Sequence, residues 1–183
     1  MTSQTEACAV VVDLHAKACA ELFVAYGLVP HVHREHADLH EVNRLNYVSV
    51  LSATGEGIRL SSTVSMDARL LERTHPSRQA QVPERDVQDW CREINNQLMG
   101  RVKNKLLRLG CEVVNGLPVL ITGTDAAAVT QPDLDHRQYF FSSKSGSMTF
   151  TLQMLFAPGF ELDASSLSAD AGEVRLEGAM ALF

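Results

Sequence analysis

Basic residues are in short supply. Sixteen Lys and Arg stand against 22 Asp and Glu, a formal net charge of -6 over 183 residues. Phosphate contacts need a basic face, so this balance argues against a nucleic-acid binder. Cysteine is sparse too. Cys8, Cys19, Cys91 and Cys111 show neither C-x-x-C spacing nor the density of a disulfide framework, and read as reduced thiols in or near the core of a cytoplasmic protein. Long apolar runs are missing: Asp13, His15, Lys17 and Glu21 interrupt the first helical stretch, which argues against a signal peptide or membrane span there. No repeat at solenoid spacing and no low-complexity run is visible. No serine sits in a G-x-S-x-G context.

What remains is the composition of an ordinary globular domain, with 45% apolar and 21% charged residues. "TEACAVVVDLHAKACAELFVAYG" repeats apolar residues at helical spacing and closes on Gly27. "NYVSVLSATGEGIRLSSTVS" reads as two strands around a Gly-Glu-Gly turn. "MDARLLERTHP" predicts a short helix ended by Pro76, and "SRQAQVP" a linker. A long helix is predicted next. Pro83 suits its first position, Glu84 and Asp86 its positive end, and Lys103, Lys105 and Arg108 its negative end, with Gly110 as the stop. "CEVVNGLPVLITG", "RQYFFSS" and "MTFTLQMLFAP" are strand-like, with "SSKSGS" a turn between the last two. Helices interspersed with hairpins predict an α+β fold with a largely antiparallel sheet, in one domain over 1–183. The tail after about residue 160 is left unassigned between strand and helix.

The long helix carries "EINNQLMG" in its middle, although two asparagines and a glycine are poor helix formers. At about 100° per residue, Val87, Trp90, Ile94, Leu98, Val102 and Leu109 share a stripe that is expected to pack on the sheet. Asp89, Glu93, Asn96 and Gly100 fall together on the opposite side, with Glu93 and Asn96 one turn apart. A solvated face gains nothing from glycine. A missing side chain near Asn96 instead lets another protein's backbone approach.

With Asp89, Glu93, Asn96 and Pro118, the sequence resembles the CheC/CheX family of chemotaxis phosphatases, which carries an Asp or Ser, then E-x-x-N on a long helix, then a proline about one strand later. "EINNQLMGRVKNKL" and "GLPVLITG" carry the likeness, which is strongest over residues 85–123. Glu21 is followed three residues later by Val24 rather than by asparagine, so the resemblance is to the single-site CheX branch. It implies hydrolysis of the phospho-aspartate on a CheY-like response-regulator receiver domain. Asn96 would orient the attacking water, a carboxamide being able to donate and accept at once. Glu93 would pair with the receiver's lysine, and Asp89 and Gly100 would line the rim. It also implies no cofactor of the chain's own, the Mg²⁺ being supplied in the receiver's active site. A homodimer joined through sheet edges is expected, since uncovered strands such as "RQYFFSS" or "MTFTLQMLF" are an association liability.

Two other readings compete. A non-catalytic adaptor would use the same face to bind a receiver or a flagellar-switch partner without hydrolysis. A metal-dependent hydrolase would use "HVHREHADLH", in which His31 and His33 share a strand face and His36 and His40 a helix face. Nothing in that stretch enforces ligand geometry, and a polar loop accounts for it.

Overall fold

A computed structural model of the chain describes residues 4–28, 31–33, 47–77, 82–122, 135–143 and 146–163. The first helical pattern becomes α1 (Gln4–Ala25), burying Val11, Leu14, Ala18, Cys19 and Leu22. Gly27 takes the positive φ that ends it: its N–H bonds Val24 O, and the Leu28 N–H returns to Phe23 O. A short strand β1 (His31–His33) follows, and then the expected hairpin of β2 (Tyr47–Gly55) and β3 (Ile58–Met66). Helix α2 (Ala68–Thr74) starts at Asp67, whose carboxylate accepts the Leu70 N–H at 2.7 Å.

Helix α3 (Glu84–Arg108) is the long helix of the sequence, begun one residue later than expected. Pro83 stands just outside it, its carbonyl accepting the N–H groups of Asp86 and Val87. At the far end Gly110 has φ +73° and the Cys111 N–H returns to Leu106 O, stopping the helix where the sequence predicts. Four strands follow: β4 (Val113–Asn115), β5 (Val119–Thr122), β6 (Asp135–Ser143) and β7 (Gly146–Phe156).

Among the described residues every strand pairing is antiparallel, in a seven-stranded sheet ordered β1-β6-β7-β3-β2-β4 with β5 also on β2. The fold is therefore α+β. One face of the sheet carries Leu51, Ile58, Leu60, Val64, Phe150 and Leu152 into a core shared with Val11, Leu22, Ile94 and Leu98 of α1 and α3. Helix α3 lies over β2 and the β4–β5 edge and packs along its flank on α1.

The "VVNGLPVLIT" stretch is one strand in appearance and two in register. β4 pairs Ala53 with Asn115, whereas β5 pairs Val50 with Val119. Gly116, Leu117 and Pro118 thus oppose only Leu51 and Ser52, which makes a one-residue bulge. The bulge also suits Pro118, which has no N–H to give the ladder. It flips the alternation, so that Val113 and Leu120, an odd spacing apart, both reach the core side while Val114, Leu117 and Val119 stay exposed.

Three expectations need correction or bounding. Trp90 is half-buried, not buried: it lies at the seam with α1, where Nε1 donates to Thr74 Oγ1 at 2.9 Å and the ring meets Tyr26. The buried stripe of α3 runs instead through Cys91, Asn95, Met99 and Leu106 beside Val87, Ile94, Leu98 and Val102. Strand β7 is interior and β6 carries β1 opposite Phe140–Ser142, so among the described residues the exposed apolar edge is β4–β5. His36, His40, the tip of the "SSKSGS" turn and the tail after residue 163 lie outside the described residues.

Candidate functional site

The adjacent asparagines of α3 have opposite fates, as the 100° step of a helix requires. Asn95 is fully buried. Its Nδ2 donates to Ser49 O at 2.9 Å and Ser62 O at 3.1 Å, tying the helix to β2 and β3. Asn96 points outward and is exposed, as are Glu93 and Asp89; Gly100 is half-exposed on the same face. A Cβ built on Gly100 meets nothing within 4 Å, so no packing among the described residues requires the glycine. The four residues predicted to share a face do share it.

Within that face the polar groups are paired. Asn96 Nδ2 donates to Glu93 Oε2 at 3.4 Å. A carboxylate accepts only, so the amide nitrogen must turn toward Glu93, which leaves the Asn96 carbonyl oxygen as the free acceptor. The second carboxylate oxygen, Glu93 Oε1, accepts from Gln97 Nε2 at 2.9 Å. Gln97 Oε1 in turn accepts from the Tyr26 hydroxyl at 2.7 Å. Burial, and then the negative charge of Glu93, push the Tyr26 phenol well up, so it remains a donor at any physiological pH. Asp89 is engaged by Arg92 one turn on. Gln97 and Tyr26 were absent from the predicted site. Gln97 lies four residues after Glu93, the one spacing that hints at the contact; Tyr26 lies in another element and has no such signal.

Other candidates fall into place around this face. Glu21, the acid of α1, is tied to α3 through Lys105 Nζ at 2.7 Å and Arg101 at 4.0 Å, and Val24 occupies the position where a second asparagine would stand. All four cysteines are buried thiols. Burial pushes Cys91 up to about 12 and raises Cys19 and Cys111, so these thiols stay protonated and serve packing. His31 and His33 take the extended backbone expected of them. Among the described residues no group of three or more His, Cys, Asp or Glu is placed to hold a metal ion, and no helix is long and apolar enough to cross a membrane. Pro118 sits half-buried in the bulge of the edge strand that α3 overlies.

The helices packed on one antiparallel sheet give the chain the fold of the CheC- and CheX-like chemotaxis proteins. The chain is similar to CheX from Vibrio vulnificus with TM-score 0.66 at 16% identity, over 79% of this chain and 98% of that one. It is similar to a CheC-like superfamily protein from Shewanella sp. PV-4 with TM-score 0.65 at 16% identity, over 79% and 96%. A chain of the CheX–CheY–BeF3–Mg²⁺ complex from Borrelia burgdorferi matches with TM-score 0.58 at 10% identity, over 79% and 95%. No protein-family model matches the chain, and no curated protein matches it.

Proposed function

We propose that this protein is a cytoplasmic phosphatase that hydrolyses the phospho-aspartate of a CheY-like response-regulator receiver domain. The observation that carries the reading is the exposed Glu93–Asn96 pair with its amide polarity set, beside a glycine that no packing among the described residues explains. The Asn96 carbonyl oxygen accepts a hydrogen bond from the attacking water, aiming a water lone pair at phosphorus in line with the aspartyl oxygen that leaves. Positioning is most of what protein groups contribute to phosphoryl transfer. Glu93 pairs with the receiver's lysine beside the phosphoryl group. Gly100 admits the receiver's backbone, and Asp89 lies at the rim. The Mg²⁺ belongs to the receiver, and this chain brings no cofactor. The likeness of its fold to a chain of a CheX–CheY complex supports a receiver as partner. Two copies of the chain pair along the exposed β4–β5 edge.

The test is dephosphorylation and binding of one phosphorylated receiver, followed separately. Asn96→Ala is expected to lower kcat by about 10²–10³-fold, the typical loss of one positioned polar group at such a site, with docking largely intact. Glu93→Ala is expected to weaken binding as well as slow turnover. Unchanged dephosphorylation in Asn96→Ala would sink the catalytic role. Binding by the wild-type protein without any hydrolysis would establish the adaptor reading instead.

A further inference from the structure

Glu93 stands on an open helix face, where a glutamate ordinarily samples many rotamers and loses them when a partner docks. Here it is already held. Gln97 Nε2 occupies one carboxylate oxygen at 2.9 Å and Asn96 Nδ2 approaches the other at 3.4 Å. The Gln97 amide is itself oriented from across the helix seam by the Tyr26 hydroxyl at 2.7 Å. Donor and acceptor roles run one way along this chain. The carboxylate can only accept, so Gln97 must present nitrogen to Glu93 and oxygen to Tyr26, and the phenol must donate. Tyr26 is fixed in turn: its ring packs on Trp90 with centroids 5.6 Å apart, and its N–H bonds back to Leu22 and Phe23 at the end of α1.

We propose that Tyr26 and Gln97 are positioning residues: they hold the Glu93 carboxylate ready for the partner's cation. For its consequence in turnover this rests on the phosphatase reading. The residue at the end of α1 thereby controls a side chain of α3, and the relative seating of the two helices becomes a determinant of partner affinity.

Tyr26→Phe removes the hydroxyl and keeps the ring on Trp90; Gln97→Met keeps the length and removes the amide. Each is measured alone and combined with Glu93→Ala, with KM and kcat read on a phosphorylated receiver. Each single variant is expected to raise KM about two- to tenfold, the worth of one hydrogen bond, and to leave kcat within about twofold. Neither should add to the loss already present in Glu93→Ala, because the relay acts only through that carboxylate. A fall in kcat at unchanged KM, or an equal loss in the Glu93→Ala background, would overturn the proposal. A second readout needs no receiver. In the free protein the Gln97 side-chain amide NMR signals should lie away from those of solvent-exposed glutamines and return toward them in both Tyr26→Phe and Glu93→Ala. Signals unmoved by both substitutions would overturn the relay. If the wild-type protein does not act on the receiver while these signals respond, the phosphatase reading fails and the relay stands.

Discussion

His15 is a histidine of α1 that faces the core, fully buried with Nε2 at 3.5 Å from Ser62 Oγ and Nδ1 at 3.7 Å from Cys19 Sγ. A neutral imidazole, with one donor and one acceptor nitrogen, serves both neighbours; an imidazolium in the same place would be a desolvated charge. Burial lowers it from 6.5 to about 4. The sign follows from that depression. Above pH 6.5 both folded and unfolded chains are neutral at this residue, and it adds no pH dependence. As pH falls through 6.5 the unfolded chain takes up the proton and the folded chain does not, so stability drops by about 1.4 kcal/mol per unit until the folded ring protonates near pH 4. Roughly 3 kcal/mol is at stake over that window. His15→Gln should be less stable at neutral pH yet flatter between pH 6.5 and 4 in urea unfolding. An acid slope equal to that of the parent chain would show that His15 does not carry it. At the same scale, Asn95 and Asn96 show how little identity decides. One carboxamide ties α3 to the sheet, while its neighbour, turned 100° on, meets solvent.

At the scale of the element, α3 does two jobs with two faces. Its inner face meets the sheet through Ile94, Leu98 and Val102, and that packing tolerates a glycine in the outer face. Because the Cβ of an alanine at position 100 would meet nothing within 4 Å, Gly100→Ala should stabilise the helix by up to about 1 kcal/mol. If, as proposed, a receiver's backbone passes there, it should also weaken receiver association. Urea midpoint and receiver affinity, measured on the same preparation, check both halves. A raised midpoint with unchanged affinity would remove Gly100 from the interface. The faces of α3 were legible in the sequence because 3.6-residue periodicity is local: the exposed set was placed correctly. The buried set wrongly included Trp90, whose partners Tyr26 and Thr74 lie in other segments of the chain and leave no mark in a local window.

At the scale of the molecule, the bulge at Gly116–Pro118 leaves Val114, Leu117 and Val119 exposed at 65%, 89% and 59% along one edge of the sheet. Three neighbouring apolar side chains on an edge without a partner strand among the described residues are an association liability. If this edge joins two copies, Val119→Lys should convert a concentration-dependent dimer to monomer in sedimentation equilibrium while preserving the folded-state circular dichroism. A wild-type mass that stays monomeric at every concentration would remove the pairing.

The sequence by itself determined what depends on near neighbours. The ends of α3 at Pro83 and Gly110, the Gly-Glu-Gly hairpin, and the side of the helix on which Glu93 and Asn96 stand all follow from turn chemistry and from the two periods of helix and strand. Tertiary structure decided what depends on distant ones. The sheet order sets β7 between β6 and β3, the register shift opposes three residues of the edge strand to two of β2, Asn95 meets Ser49 and Ser62, and Tyr26 reaches Gln97. These contacts join residues 33 to 71 positions apart where side-chain bonds are concerned. No repeating pattern encodes such a pairing, because it exists only once the packed core has brought the elements together.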